Sequence, residues 1–76
     1  PMEPFDLAFL DPPYGKGLGA AALAAMVDGD WMKPGGLVVL EESADAVAAV
    51  PDALELVDQR EQGVARLWFL RRRETN

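Results

Sequence analysis

The residues with the clearest chemical potential are Asp11, Pro12, Pro13 and Tyr14, which directly follow the apolar run Phe5–Leu10. Asp11 offers a carboxylate, and the two prolines offer carbonyl oxygens but no N–H donors, so this stretch is rich in hydrogen-bond acceptors. The proline rings fix φ, which sets the directions of these carbonyls in advance. Tyr14 adds a flat aromatic face. This combination suits a planar NH₂ group, whose two hydrogens it can accept while the attached ring stacks on Tyr14.

An exocyclic amine of a nucleobase is a poor nucleophile, because its lone pair is delocalised into the ring. Hydrogen bonds to both of its N–H groups favour a pyramidal nitrogen and stabilise the positive charge that develops during attack on an electrophile. A carboxylate such as Asp11 is sufficient to take the proton that is then released. On the residues alone, a rigid corner between a strand and a loop explains Asp-Pro-Pro equally well.

The surrounding pattern predicts the elements that would hold these residues. Ligands of open α/β sheets bind beyond the carboxyl ends of the strands, and Asp11–Tyr14 lies at such an end if Phe5–Leu10 is a strand. The uncharged, alanine-rich stretch that follows favours a helix, which we expect to be buried on more than one face. The predicted order begins with a buried strand at Phe5–Leu10, a helix from Leu18 or Gly19 to about Val27, and a turn at 31–36. A strand at Leu37–Glu41, covered on both faces, follows, and then a short helix that is capped by Ser43 and reaches about Ala49. The chain is predicted to continue in a hairpin, whose strands Leu54–Glu61 and Val64–Arg71 flank Gln62-Gly63.

Strands that alternate with helices predict an α/β architecture, here a sheet that ends in an antiparallel hairpin. A buried first strand needs a neighbour on each side, and this chain offers it one. We therefore expect the missing neighbour to come from the rest of a larger domain or from another chain. The exposed edge of Phe5–Leu10 and the all-apolar helix are expected to favour self-association.

Composition narrows the function classes. The 76 residues contain neither cysteine nor histidine and carry a net charge of −6. The lack of cysteine excludes disulfides and thiolate zinc sites, and the acidic balance argues against a self-sufficient nucleic-acid binder. No apolar run approaches the roughly 20 residues of a membrane span, and no signal-peptide pattern is present, so a cytoplasmic protein without a membrane partner is expected. The basic cluster Arg71–Arg73 is interpreted either as a solvated strand end or as a phosphate contact.

Two other patterns carry less weight. The stretch from Gly15 to Ala20 matches G-x-G-x-x-A, and Glu41 lies downstream, as in a dinucleotide-binding fingerprint. The two prolines before it prevent the immediate turn from strand to helix which that motif requires. The adjacent carboxylates Glu41 and Glu42 lack a third oxygen ligand at a defined position, so no metal site is predicted.

The motif Asp11-Pro12-Pro13-Tyr14 after an apolar strand resembles the (D/N/S)-P-P-(Y/F/W) motif of amino-group methyltransferases that use S-adenosylmethionine. The run from Trp31 to Glu41 resembles the LKPGG turn and following strand of Rossmann-like methyltransferases. Over nearly the whole chain the sequence most resembles the C-terminal half of the RsmD family, which methylates the N2 amino group of a guanine in 16S ribosomal RNA.

This resemblance implies roles for individual residues. Asp11 and the Pro12 carbonyl, followed by Pro13, would hold the target amino group and lie near the methionine end of S-adenosylmethionine. Tyr14 would stack on the flipped-out guanine, and Lys16 would lie in a loop that closes over RNA. The final strand would insert antiparallel beside Leu37–Glu41.

The resemblance also implies an incomplete site. The glycine-rich cofactor loop and the acidic residue for the ribose belong to the family's N-terminal half, and neither is found upstream of Phe5. We therefore expect residues 1–76 to be a partial methyltransferase domain with little activity in isolation, whose full-length partner is 16S rRNA or the small ribosomal subunit. Two alternatives stay open: a stand-alone, non-catalytic interaction module, and a fragment of a DNA adenine methyltransferase.

Overall fold

The computed structural model describes residues 5–10, 18–44 and 49–74, which form one helix and four strands. The sheet order is β1-β2-β4-β3, with β1 parallel to β2 and the remaining pairs antiparallel. The mixed α/β architecture and the antiparallel insertion of the last strand are therefore confirmed. The elements in chain order are β1 (Phe5–Leu10), α1 (Leu18–Asp28), β2 (Met32–Ser43), β3 (Leu54–Gln62) and β4 (Ala65–Arg72).

Helix α1 packs on one face of the sheet. Leu23 and Met26 are three residues apart and so share a helix face, and both are buried in a cluster with Val38 and Leu40 of β2. The alanines on the opposite side of α1 are exposed, so the prediction of burial on more than one face is wrong. Alanine has high helix propensity and a small side chain, which explains why it is tolerated on an exposed face. At 11 residues, α1 is too short to cross a membrane, and it is the only helix within the described ranges.

Strand β2 is longer at both ends than predicted. The segment 31–36, expected to be a turn, enters the strand at Met32. Between the pairs Phe5↔Met32 and Leu7↔Leu37, one residue of β1 faces four of β2. Gly35 has a φ of 81° inside this bulge, a left-handed conformation that glycine adopts without strain. The Pro-Gly-Gly sequence thus bends a strand instead of ending one.

The predicted hairpin is confirmed, with a shift in its loop. Strands β3 and β4 pair antiparallel, and Gly63 and Val64 form the two-residue connection. Gly63 has a φ of 60°, whereas Val64 is not among the residues with positive φ, a pattern typical of a type II′ turn. The predicted cap at Ser43 is wrong, because Ser43 is the last residue of β2 and pairs with Ala65. The following Ala44 N–H donates to Val64 O at 2.9 Å, and residues 45–48 of the expected short helix lie outside the described residues.

The two faces of the sheet differ in how far they are buried by other elements of the chain. On the α1 side, Val38, Leu40, Trp68 and Leu70 are buried, as are the methionines Met26 and Met32. On the opposite face Val39 is buried, whereas Leu37, Leu67 and Phe69 are half-buried and no described helix covers them, so the predicted cover of β2 on both faces is only partly observed.

Among the described residues, strand β1 pairs only with β2 and is an edge strand. Phe5, Leu7 and Phe9 are 45%, 62% and 59% exposed, so the prediction of a fully buried first strand is wrong here. The one neighbour expected for this strand is β2. Trp31, just before β2, is also half-exposed.

Candidate functional site

The carboxyl ends of the parallel strands β1 and β2 meet at one edge of the sheet. Leu10, the last residue of β1, lies opposite Leu40, and β2 continues for three more residues to Ser43. The site residues predicted from sequence begin immediately after Leu10. All of them, namely Asp11, Pro12, Pro13, Tyr14 and Lys16, lie outside the described residues. The structure therefore fixes the two elements that flank this segment, β1 and α1, and the part of β2 beside them.

Glu42, which the sequence analysis considered only as one of two adjacent carboxylates, is a further candidate at this edge. Its side chain is only 3% exposed. Val38, Leu40 and Glu42 alternate along β2 and so point to the same face, towards α1. An ideal Cβ built on Gly19, in the first turn of α1, would lie 2.6 Å from Glu42 Oε2 and 3.3 Å from Leu40 Cδ2. Glycine at position 19 thus allows the strand carboxylate to approach the helix.

A second contact orients the same carboxylate. The backbone N–H of Ser43 donates to Glu42 Oε1 at 3.2 Å. Arg66 is the cross-strand partner of Glu42 on β4, but its guanidinium Nη2 binds Glu61 Oε1 at 2.9 Å. The sequence contained a pattern that could have predicted this arrangement: Glu42 follows Val38 and Leu40 at every second position of one strand, so it shares their face of the sheet.

The neighbouring acids Glu41 and Glu42 do not converge. Consecutive strand residues point to opposite faces of a sheet, and Glu41 pairs with Leu67 on the face away from α1. Across the described ranges, no group of three metal-ligating side chains comes together. The two acids therefore do not form a joint binding site.

The arginine cluster Arg71–Arg73 lies at the opposite end of the strands, away from the carboxyl ends of β1 and β2. Arg71 pairs with Leu37, near the start of the parallel segment of β2. Arg71 Nη1 donates to Gly35 O at 3.0 Å, and Arg73 Nε donates to Asp52 O at 2.9 Å. Arg72 donates to Met32 O and forms an ion pair with Asp30 at 2.6 Å. Together with Gly35, Glu55 and Glu74, the three arginines line a surface depression there. The three arginines are thus held by backbone carbonyls and Asp30, and the phosphate contact considered from the sequence stays a prediction.

Comparison with known proteins agrees with this geometry. The model of the family described as Conserved hypothetical protein 95 matches residues 1–71. The chain is 30% identical over 60 residues to the ribosomal RNA small subunit methyltransferase D of Haemophilus influenzae, covering 79% of this chain and 31% of that protein. It is also 30% identical over 67 residues to an uncharacterised methylase of Rickettsia prowazekii, covering 88% of this chain and 28% of that protein. The chain thus spans about a third of the length of these relatives.

Solved structures share the fold. A crystal structure of a Haemophilus influenzae protein named as a methylase superposes with a TM-score of 0.84 at 27% identity, covering 92% of this chain and 44% of that one. An Escherichia coli protein named as a methyltransferase gives a TM-score of 0.81 at 22% identity, covering 95% and 40%, which supports the fold alone. The family match extends over almost the whole chain, and the chain therefore belongs to the Conserved hypothetical protein 95 family, the RsmD family that its motifs resemble.

Proposed function

We propose that this chain is the C-terminal half of a Rossmann-like, S-adenosylmethionine-dependent methyltransferase domain that modifies the N2 amino group of a guanine in 16S rRNA. The observation that carries the proposal is the position of Asp11-Pro12-Pro13-Tyr14 directly after the carboxyl end of β1, in a chain of this family. The name of the Haemophilus influenzae relative supports ribosomal RNA as the substrate class. Such a substrate implies that the protein acts in the cytoplasm.

In this proposal the chain supplies the acceptor side of the reaction. Asp11 and the Pro12 carbonyl accept the two amino hydrogens of guanine, and Pro13 holds the backbone direction. Tyr14 stacks on the flipped base, and Lys16 contacts the RNA backbone. Asp11 then takes the proton released from the methylated nitrogen.

S-adenosylmethionine, when bound, supplies the electrophilic methyl group. As the family resemblance implies, Asp11 and Pro12 would hold its methionine end, because their oxygen atoms are hydrogen-bond acceptors suited to a cationic group. The remaining contacts to the cofactor belong to a part of the domain that matches the rest of the relatives' length. We accordingly expect the 76-residue chain alone to show no turnover.

The test is a chimera in which the matched segment of the Haemophilus influenzae relative is replaced by this chain. We expect the chimera to methylate small ribosomal subunits or 16S rRNA that lack the modification, and the chain alone not to do so. Asp11→Ala should reduce the rate at least a hundredfold, because it removes both an acceptor and the base. Asp52→Ala is the matched control, an exposed aspartate at the other edge of the sheet.

Nucleoside mass spectrometry of the product separates the candidate activities. N2-methylguanosine supports the proposal, whereas N6-methyladenosine, or methylation of DNA, supports an adenine methyltransferase. Clear turnover by the isolated chain would contradict the proposal that most contacts to S-adenosylmethionine come from another part of the domain.

A second candidate function is association without catalysis, and the exposed apolar side chains of β1 favour it. Phe5, Leu7 and Phe9 line one face of a strand whose outer edge has no partner among the described residues. We propose that Phe5–Leu10 pairs with the missing half of the domain or with a second copy of the chain. An inactive chimera together with strong self-association of the chain would favour the interaction module.

A further inference from the structure

The loop of the β3–β4 hairpin carries an exposed apolar side chain at the edge of the sheet where β1 and β2 end. Val64 is 79% exposed, the largest exposed fraction among the large apolar side chains of the described ranges. The adjoining Ala65 pairs with Ser43, three residues beyond the Leu10↔Leu40 pair that closes β1. At the usual rise of a strand residue, the loop lies about 10 Å further along the strand direction than the end of β1. Of the exposed large apolar side chains in the described residues, only Val64 lies at that level.

The residues Gly63 and Val64, the hairpin tip, are held in place by a third strand. The N–H of Ala44, directly after β2, donates to Val64 O at 2.9 Å. Ala65, the next residue, is buried. The backbone of the tip is thus fixed while the Val64 side chain stays in solvent. Its branched β-carbon also restricts χ1, so this side chain loses little conformational entropy when it enters a partner.

The charges beside the hairpin tip indicate what kind of surface it contacts. Arg66 is paired with Glu61 at 2.9 Å, and Arg60 is paired with Asp58 at 3.2 Å. These cations are compensated within the hairpin, so the tip offers an apolar contact instead of a positive charge for phosphate groups. Apolar side chains insert between stacked bases in nucleic-acid complexes and unstack them. The tip therefore fits the faces of nucleobases.

Methyl transfer to a base of structured RNA creates a need for such a contact. A base inside a stack must be turned out before its amino group can be reached, and the unstacking costs free energy. A side chain that fills the vacated space offsets part of this cost. A single exposed valine is ordinary on a protein surface. Val64 is distinguished by its fixed backbone and by its position at the sheet edge where α/β proteins bind their ligands.

We propose that Val64 is a wedge that enters the base stack of the RNA beside the target nucleotide and keeps the target base out of the stack. This inference rests on the proposed methyl transfer for the identity of the RNA. It adds a residue that acts on the conformation of the substrate and takes no part in the chemistry.

The first experiment compares substitutions of Val64 in the chimera, with small ribosomal subunits that lack the modification as substrate. Val64→Ser removes the apolar wedge and keeps a residue suited to turns. We expect kcat to fall at least tenfold and KM to change less than threefold, because base flipping follows binding. Val64→Ile keeps an apolar, branched side chain and should stay within threefold of wild type.

Val57→Ser is the matched control, with an expected kcat within twofold of wild type. Val57 is also an exposed valine of this hairpin, but it lies in the bulge of β3, near the level of Val39. Urea unfolding of the 76-residue chain separates the wedge from a structural role. Because its side chain is mostly in solvent, Val64→Ser should shift the midpoint by less than about 0.5 M.

Three kinetic results would overturn the wedge. The first is a kcat of Val64→Ser within twofold of wild type. The second is a loss of kcat that only follows the folded fraction. The third is a Val64→Ile chimera that is as impaired as the Val64→Ser chimera.

A second readout does not depend on methyl transfer. The photoreactive p-benzoylphenylalanine is placed at position 64 of the chimera, irradiated with the same subunits, and its cross-links are mapped by primer extension. We expect cross-links at nucleotides next to the one that the Haemophilus influenzae relative methylates, and none there from the same probe at position 57. If the wild-type chimera is inactive but these cross-links form, the methyl-transfer proposal fails and the RNA contact of the hairpin tip stands. Cross-links to a ribosomal protein alone, to distant nucleotides alone, or to nothing would overturn the wedge whatever the activity.

Discussion

Replacing Leu23 by alanine should destabilise the chain by about 3 kcal/mol. Leu23 is fully buried (0% exposed) between α1 and the sheet, against Val38 and Leu40. Leucine-to-alanine changes in a core cost about 2–5 kcal/mol, more where the structure cannot collapse into the cavity. Since the end of α1 is tied to the start of β2, where the Trp31 N–H donates to Met26 O at 3.1 Å, its room to collapse is small. A chain of 76 residues has a total stability of about 4–11 kcal/mol by the usual per-residue range, so this loss is a large fraction of it.

The assay is urea unfolding followed by tryptophan fluorescence. Trp68 is 6% exposed and should report on loss of the core. With an m-value of about 1 kcal/mol/M, the midpoint should fall by roughly 3 M, or the variant should be unfolded in water. Ala24→Gln on the exposed side of the same helix is the control, with an expected effect within about 0.5 kcal/mol. A midpoint shift below about 0.5 M for Leu23→Ala would show that α1 does not hold the core as described.

Three further outcomes are expected. Leu7→Lys should weaken self-association at least tenfold in sedimentation equilibrium, whereas Val64→Lys at the exposed hairpin loop should not; a monomeric wild type at high micromolar concentration would contradict an interface at β1. Arg72→Met should cost about 1 kcal/mol in urea unfolding, because it removes a charge-assisted bond to a carbonyl and a partly screened pair with Asp30; no loss would show that these contacts are incidental. Gly63→Ala should also cost about 1 kcal/mol, since its φ of 60° is unfavourable for residues with a β-carbon; an equal or higher midpoint would refute the turn assignment.

Local sequence patterns correctly predicted the helix α1 and the hairpin of β3 and β4, whose formation depends mainly on residues close together in the sequence. The hairpin followed from two β-rich runs around a glycine, and α1 followed from its alanines and the adjacent glycines. The order of the strands was implied by family resemblance, since no local pattern states which strand β4 will join.

The errors have a common physical origin in tertiary context. Proline and two glycines at 34–36 favour a turn locally, but the pairing of Phe5 with Met32 draws this segment into β2 as a bulge. Ser43 is a good helix cap by residue type, yet its pairing with Ala65 keeps it in the strand. The apolar character of Phe5, Leu7 and Phe9 predicted burial, and their exposure shows that an apolar pattern identifies a face to be covered without identifying what covers it.

Only part of the candidate site could be predicted from the sequence, because local patterns do not show which elements pack together. The acceptor chemistry proposed for Asp11-Pro12-Pro13-Tyr14 could be predicted locally, because consecutive residues of the sequence would provide it. The contact between Gly19 and Glu42 joins residues 23 positions apart, and only the packing of α1 on β2 reveals it.

The distribution of charge at the two sheet edges bears on how the proposed RNA substrate would be held. The arginines at 71–73 are engaged with backbone carbonyls and Asp30, away from the carboxyl ends of β1 and β2. At the carboxyl ends of β1 and β2, Arg66 is paired with Glu61, and Glu42 is a further acidic residue. Since RNA affinity depends on cations that replace its counterions, this described surface and a net charge of −6 are poorly suited to bind RNA unaided. We therefore expect most of the RNA affinity to come from outside residues 1–76, with this half contributing the chemistry at the amino group.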